Sequence, residues 1–146
     1  MIHPFNDKGA IQRLLADYRK YHNLVIGFDF DNTIFDYNNT GGDYSEIINL
    51  LKSCKLLGLT LCLYSIGRLD WKYKECTKLG ITPDYVNESP IKIEEDKDCR
   101  KPFFNILLDD RAGLESSYNV LSATVLAIIN EKINLVREAF EKSANT

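Results

Sequence analysis

The chain has 146 residues, of which 45% are hydrophobic and 27% are charged, and its formal net charge is −3. This length suits a single domain with a sizeable core, and the composition excludes an intrinsically disordered chain. The mild charge gives no reason to expect a nucleic-acid or membrane partner, although a local basic patch stays open.

The first half of the chain is predicted to alternate between helices and strands. Residues 8 to 21 carry apolar side chains at helical spacing, which predicts a short amphipathic helix. The apolar run from Leu24 to Thr33 predicts a strand that is buried on both faces, as in a parallel sheet. Asp43 and Glu46 stand at capping-box spacing before a second predicted helix, which ends at Gly58.

The second half continues the alternation. Residues 59 to 64 form another apolar run and predict a strand. A helix is expected from about Leu69 to Leu79, followed by at best a short strand within 81 to 86, which contains a proline. Residues 87 to 101 are polar and predict a connecting loop with room for one helical turn, and the apolar residues 103 to 108 predict a further strand.

A long helix is predicted at the C-terminal end of the sequence. Seven apolar residues are expected to trace one face of it: Leu121, Val125, Ile128, Ile129, Ile133, Val136 and Phe140. Strands that alternate with helices predict an α/β fold, a three-layer doubly wound parallel sheet formed by residues 1 to 146 as a single domain.

The cysteines and the N-terminal residues bear on the cellular compartment. The four cysteines show no CxxC spacing, which favours free, buried thiols over disulfides or a zinc site. The sequence begins without a basic segment followed by an apolar one, and no later apolar run approaches about 18 residues. We therefore expect a cytoplasmic protein with no membrane partner.

Polar residues directly follow the three strands predicted from apolar runs. Asp29 and Asp31 end the first strand, Ser65 follows the second, and Asp109 and Asp110 follow the third. Ligands of open α/β sheets bind beyond the carboxyl ends of the strands, so these side chains are expected to converge. Like charges held together require a cation, and oxygen ligands favour a hard ion such as Mg²⁺.

Such a group of carboxylates suits phosphoryl transfer from a monoester. Asp29 is a candidate nucleophile that would form an acyl phosphate, and Asp31 is placed to act as general acid and then as general base. A metal held by Asp29, Asp109 or Asp110 would screen the repulsion between carboxylate and phosphate. Three side chains are expected to hold the phosphoryl oxygens: Thr33, Ser65 and Lys101.

Two of the basic assignments have competing interpretations. Lys92 and Lys97 lie near Lys101, so any of the three could be the lysine that holds phosphate or a solvated surface charge. Arg68 is a candidate substrate contact, but a surface arginine at the start of a helix is equally expected.

Four short motifs resemble, in residue type and in order, those of the haloacid dehalogenase (HAD) superfamily of phosphohydrolases. They are Asp29-Phe30-Asp31-Asn32-Thr33, Ser65, Lys101 and Asp109-Asp110, within a match from about Leu24 to Leu114. The resemblance implies that Asp29 is the nucleophile, Asp31 the acid/base, and Ser65 and Lys101 the phosphate holders. It also implies a Mg²⁺ site formed by Asp29, Asp109, Asp110 and the backbone carbonyl of Asp31.

Family members usually carry a cap domain between these motifs, but here the gaps hold little more than one helix, or a helix and a loop. The sequence therefore looks like a small capless phosphatase, whose open site admits bulky phosphorylated macromolecules or nucleic-acid ends unless a partner subunit covers it. Asn32 stands where glycine is more common in the family, a change that we expect to be tolerated.

Two alternative interpretations remain. Receiver-type phosphoacceptor domains also combine aspartates, a hydroxyl group and a lysine on a doubly wound sheet. In those domains the acidic pair comes first and the lone acceptor later, whereas this sequence has the reverse order. A catalytically silent HAD-fold binding module is the other alternative.

Overall fold

A computed structural model describes residues 5 to 92, 94 and 95, and 97 to 146. Strands and helices alternate along these residues, which confirms the α/β class. In chain order the elements are α1 (Asp7–Tyr21), β1 (Val25–Phe28), α2 (Ser45–Leu56), β2 (Thr60–Leu63), α3 (Leu69–Lys78), β3 (Tyr85–Val86), β4 (Ile106–Leu108) and α4 (Leu114–Ala144).

The four strands form one parallel sheet in the order β3-β2-β1-β4. Ile26 in β1 pairs with Leu61 in β2 on one side and with Ile106 in β4 on the other. All four residues of β1 are buried, as the apolar run predicts for a central parallel strand. Because all strands are parallel, the residues that follow β1, β2 and β4 lie at one edge of the sheet.

Position 27, in the middle of this central strand, favours glycine because neighbouring side chains come close to the backbone there. A Cβ atom at this position would lie 3.1 Å from Leu107 Cδ1 and 3.2 Å from the ring of Tyr64. These side chains come from the two flanking strand segments, so the absence of a Cβ lets them cover the centre of the sheet.

The helices cover the sheet with apolar side chains. Helix α4 packs against α1 and β4 and also contacts α2, while α2 packs against β2. The buried core includes Phe28, Phe30, Leu51, Leu61, Leu108 and Leu121. All four cysteines are free, and three of them are buried: Cys54, Cys62 and Cys76. Burial raises the pKa of Cys54 to about 12, which keeps it an unreactive thiol.

The start of α2 and the strand lengths differ from the sequence predictions. Tyr44, not Asp43, occupies the N-cap position, and the Asp43 carboxylate accepts a hydrogen bond from the Ser45 N–H, 2.9 Å away. Asp43 thus forms a local turn before the helix rather than a capping box. The strands span two to four residues, since the apolar runs continue into the loops at both ends.

The predicted loop from 87 to 101 contains no helix within its described residues, whereas positions 93 and 96 lie outside the described part.

All seven apolar residues predicted to trace one face of the C-terminal helix lie on α4, but only those in its first half reach the core. Leu121, Val125 and Ile128 are buried, but Val136 and Phe140 are 70% and 77% exposed. The reason is that α4 extends beyond the elements on which its first half packs, so its second half has no core to join. By length and composition alone, α4 could cross a membrane, a property that core helices of soluble proteins share.

Candidate active site

The turn after β1 brings two carboxylates to the same cavity. The Asp29 N–H donates to the Leu108 carbonyl, 2.9 Å away, which continues the pairing with β4 by one residue. The chain then turns, because the Phe30 carbonyl accepts hydrogen bonds from the N–H groups of Thr33, Ile34 and Phe35. The Phe30 ring is buried. Asp29 and Asp31 both line an open cavity of about 1500 Å³ beyond the strand ends.

Asp29 lies with the acidic pair that follows β4. Carboxylate oxygens of Asp29, Asp109 and Asp110 lie within 4.8 Å of one another. Burial, and to a smaller degree the charges of Asp109, Asp110 and Asp31, raise the pKa of Asp29 from 3.8 to about 6, although the Phe30 N–H opposes this shift. Burial and the neighbouring acids therefore disfavour the charged form of Asp29 at this cluster.

This acidic cluster could hold a divalent cation. A set of carboxylate oxygens fits hard cations such as Mg²⁺, which take oxygen ligands and retain water, but it does not by itself select Mg²⁺ from other hard ions. Burial is the main cause of the raised pKa of Asp29, and a bound cation would offset the repulsion from the neighbouring acids that adds to it. The carboxylate of Asp31 has a different partner.

Asp31 forms an ion pair with Lys72, a residue of α3 that the sequence analysis did not single out. Lys72 Nζ lies 2.6 Å from Asp31 Oδ2, 2.8 Å from Ser65 Oγ and 2.8 Å from the Ile66 carbonyl. The Lys72 side chain is only 5% exposed. Its three N–H donors thus satisfy three acceptors, so the buried charge is fully compensated.

Ser65 is fixed at the end of β2 by Asn87, a second residue that the sequence analysis missed. The Ser65 N–H donates to Asn87 Oδ1, 2.9 Å away, and Asn87 Nδ2 donates to the Ser65 carbonyl, 2.7 Å away. Asn87 itself has a positive φ of 50°, a conformation that asparagine tolerates better than most residues. Because Ser65 Oγ accepts from Lys72, its hydroxyl hydrogen remains available to a ligand.

Thr33 was predicted to contact a phosphoryl oxygen, but its hydroxyl contacts the protein backbone instead. It is fully buried, and its Oγ1 accepts a hydrogen bond from the Asp110 N–H, 3.1 Å away. Thr33 does not line the cavity, so it positions the loop that carries Asp110 instead of contacting a phosphoryl oxygen.

Lys101 also lies outside the cavity, although Arg100 and Pro102 on either side of it line the wall. Its side chain is exposed, as are those of Lys92 and Lys97. Lys72 is the lysine that the fold places beside Asp31 and Ser65. The assignment of Lys101 as a phosphate holder stays a prediction.

Basic and aromatic side chains form the rest of the wall. The guanidinium carbon of Arg68 lies 4.5 Å from the centre of the Trp71 ring, and Arg68 lines the cavity as predicted for a substrate contact. Arg100 and Arg111 add two further positive charges. The Trp71 ring contacts Phe35 edge-on, with 5.4 Å between ring centres, so one side of the cavity is aromatic.

The helical periodicity of the sequence indicates that Lys72 faces inward. Lys72 stands four residues before the buried Cys76, which places both on the inward face of α3. A lysine on an inward helical face requires an acidic partner for its charge, and the sequence offers such acids directly after the strands. No comparable signal marks Asn87, which depends on the loop conformation after β3.

Comparisons with known proteins give no family assignment. No family model matches the sequence, and no curated protein matches it. Among solved structures, the chain is similar to a conserved protein from Bacteroides thetaiotaomicron, at 26% identity over 61% of this chain and 77% of that chain, with a TM-score of 0.49.

Proposed function

We propose that the protein is a metal-dependent phosphomonoester hydrolase that acts through a phosphorylated Asp29. The observation that supports this most strongly is the convergence of three separate chain segments at one cavity. Asp29 lies within a cluster of acids that could hold Mg²⁺, and Asp31 lies beside it in an ion pair with the buried Lys72. This combination provides a nucleophile, an acid/base and compensating charge.

The strand order supports a HAD-type core for this activity. In the order β3-β2-β1-β4 the chain direction across the sheet reverses at β1, and ligands of doubly wound sheets bind at such a reversal. Asp29 and Asp31 follow β1 directly. We propose a three-layer, capless, single-domain arrangement of the HAD type, located in the cytoplasm.

In the proposed first step, a carboxylate oxygen of Asp29 attacks phosphorus, and the bond between phosphorus and the leaving oxygen breaks. Asp31, in the form that is protonated on the oxygen not held by Lys72, gives this proton to the leaving oxygen, which departs as an alcohol. In the second step Asp31 takes a proton from water as the water oxygen attacks phosphorus, and the Asp29 carboxylate departs. Inorganic phosphate is released and both acids return to their initial states.

The other residues position these groups. Lys72 holds Oδ2 of Asp31, which leaves Oδ1 to exchange the proton, and it orients the Ser65 hydroxyl toward a phosphoryl oxygen. When bound, Mg²⁺ would supply positive charge between the Asp29 carboxylate and the phosphoryl group; Asp29, Asp109, Asp110 and the backbone carbonyl of Asp31 would hold it.

The cavity favours a bulky phosphomonoester. It is open to solvent, and Arg68, Arg100 and Arg111 along its wall suit an anionic substrate that extends beyond the phosphoryl group. Phosphorylated macromolecules, including nucleic-acid ends, are therefore proposed substrates beside small phosphomonoesters.

Hydrolysis of a generic aryl phosphate tests the proposal. We expect turnover that requires Mg²⁺, stops in a chelator and is abolished by Asp29→Asn. The matched control is Asp70→Asn, since Asp70 is an exposed acid of α3 outside the cavity. Unchanged activity in Asp29→Asn would contradict the mechanism, and a stable phosphoprotein that transfers its phosphoryl group to a partner would favour the receiver-type alternative.

A further inference from the structure

The second half of α4 carries an apolar stripe that is largely exposed among the described residues; only Ile129 also packs against the core. Its members follow one another at intervals of three and four residues: Leu126, Ile129, Ile133, Val136 and Phe140. Apart from the half-buried Ile129, they are between 52% and 77% exposed. Alternate spacings of three and four residues match the a and d positions of a helix pair, here over two heptads.

Apart from Ile129, which lies at its border, the stripe is distinct from the face by which α4 joins the core. Leu121 and Ile128 are buried, whereas Leu126, between them in sequence, is 59% exposed. Ile133 is seven residues from Leu126 and therefore lies on the same side of the helix. Helix α4 thus buries one face in its own domain and leaves another exposed.

The charge and packing of α4 disfavour a membrane as that partner. The apolar window that is long enough to cross a bilayer is 28% buried in the protein, so insertion would open the core. A helix that lies on an anionic bilayer carries a polar face rich in lysine and arginine. Residues 131 to 142 instead carry three basic and three acidic side chains: Lys132, Arg137, Lys142, Glu131, Glu138 and Glu141.

We propose that the stripe pairs with the same stripe of a second copy of this chain, with the two helices antiparallel. In that register, a and d positions face each other across the two-fold axis. Ile133 then lies against the partner's Val136, and Ile129 against the partner's Phe140. The paired segment runs from residue 126 to residue 143, 18 residues or about 27 Å of helix.

Charged residues beside the stripe select the antiparallel orientation. In a parallel pair, Lys132 at a g position would lie beside the partner's Arg137 at an e position, and the like charges would repel. In the antiparallel pair, Lys132 lies beside the partner's Ala139, and Arg137 lies beside the partner's Asn130. The antiparallel orientation therefore brings the apolar stripes together without placing Lys132 next to the partner's Arg137.

Sedimentation of the full chain across the micromolar range tests the pairing. We expect a concentration-dependent dimer of twice 16.7 kDa, and a monomer for Val136→Asp. Leu135→Asp is the matched control: Leu135 is 65% exposed but faces away from the stripe, so this variant stays dimeric. Both sites are exposed, so both variants should fold, and circular dichroism verifies this.

Disulfide exchange tests the orientation. In a Cys99→Ser background, Leu126→Cys is mixed with Ser143→Cys under mild oxidation. The antiparallel pair predicts mixed disulfides between the two variants, whereas disulfides within each variant alone would overturn the orientation. A wild-type chain that stays monomeric, or that binds phosphatidylserine vesicles through the stripe as a monomer, would overturn the proposal of a second copy.

Discussion

Lys72 and Asp31 are 41 residues apart in the chain, yet Lys72 Nζ lies 2.6 Å from Asp31 Oδ2. The Lys72 side chain is almost fully buried, whereas Asp31 is 32% exposed toward the cavity. A buried ammonium group paired with a partly exposed carboxylate holds that carboxylate in one orientation while leaving its other oxygen accessible. This pair therefore links the stability of α3 to the proposed acid/base.

Replacing Lys72 is the first prediction. Lys72→Met preserves much of the side-chain volume but removes the ammonium group from Asp31 and Ser65. We expect aryl phosphatase activity to fall at least about 100-fold, and the free energy of unfolding to fall by roughly 1 to 3 kcal/mol, less than for a fully buried pair because Asp31 is partly solvated.

Lys101→Ala is the comparison for this prediction, because Lys101 is exposed and lies outside the cavity. It should leave both the activity and the denaturation midpoint unchanged. Loss of activity in Lys101→Ala together with normal activity in Lys72→Met would restore the assignment made from the motif order.

Asp31→Asn should separate the two proposed chemical steps. An aryl leaving group needs little protonation, so an aryl phosphate should still phosphorylate Asp29 but stall before hydrolysis, which gives a burst of phenol followed by slow turnover. An alkyl phosphate needs the proton in the first step, and its turnover should fall by roughly 10² to 10⁴ without a burst. A rapid-quench time course distinguishes these outcomes, and equal losses without any burst would refute the role of Asp31.

The sequence predicted those parts of the site that directly follow buried strands. Asp29, Asp31 and Ser65 all line the cavity because an apolar run fixes where each strand ends, and parallel strands end together. Asp109 and Asp110 line it for the same reason. The fold class was predictable from the same alternation of helices and apolar runs.

Residues brought to the site by helices and loops were harder to predict. Lys72 is one of three lysines in α3, beside Lys74 and Lys78, and only packing shows which of them is buried. Lys101 was favoured by its position in the motif order, but position along a loop does not fix where a side chain points. Thr33 was assigned to substrate because of its hydroxyl, which the fold uses to hold the Asp110 backbone.

The raised pKa of Asp29 predicts a pH-dependent cost to stability. Its pKa is about 6 in the folded protein, above the usual 3.8, so the folded state binds this proton more tightly than the unfolded state. The stability that this proton provides is present below about pH 4 and is lost as the pH rises through 6. Chelator-treated Asp29→Asn lacks the charged form and should be more stable than wild type at pH 7.5 by about 1 to 3 kcal/mol.

Denaturation of both proteins at pH 4 and at pH 7.5 checks this expectation. The advantage of Asp29→Asn should shrink toward zero at the lower pH. An advantage of equal size at both pH values would show that the substitution acts through packing instead of charge.

Mg²⁺ should stabilise the folded protein by binding at the acidic cluster. A saturating ligand at 100 times its dissociation constant adds about 2.7 kcal/mol, which raises the melting temperature. Asp109→Asn and Asp110→Asn should each reduce this shift, while Asp70→Asn, which is not part of the cluster, should retain it. Differential scanning calorimetry with and without Mg²⁺ measures the shift, and a full shift in Asp109→Asn would place the cation elsewhere.

Chemical trapping of the phosphorylated enzyme tests the proposed nucleophile most directly. Borohydride added during turnover of an aryl phosphate reduces an aspartyl phosphate to homoserine, and peptide mass spectrometry locates the modified residue. We predict conversion at Asp29, only with substrate and Mg²⁺ both present. Steady hydrolysis with Asp29 unmodified, or conversion at Asp31, Asp109 or Asp110 instead, would contradict the proposed mechanism.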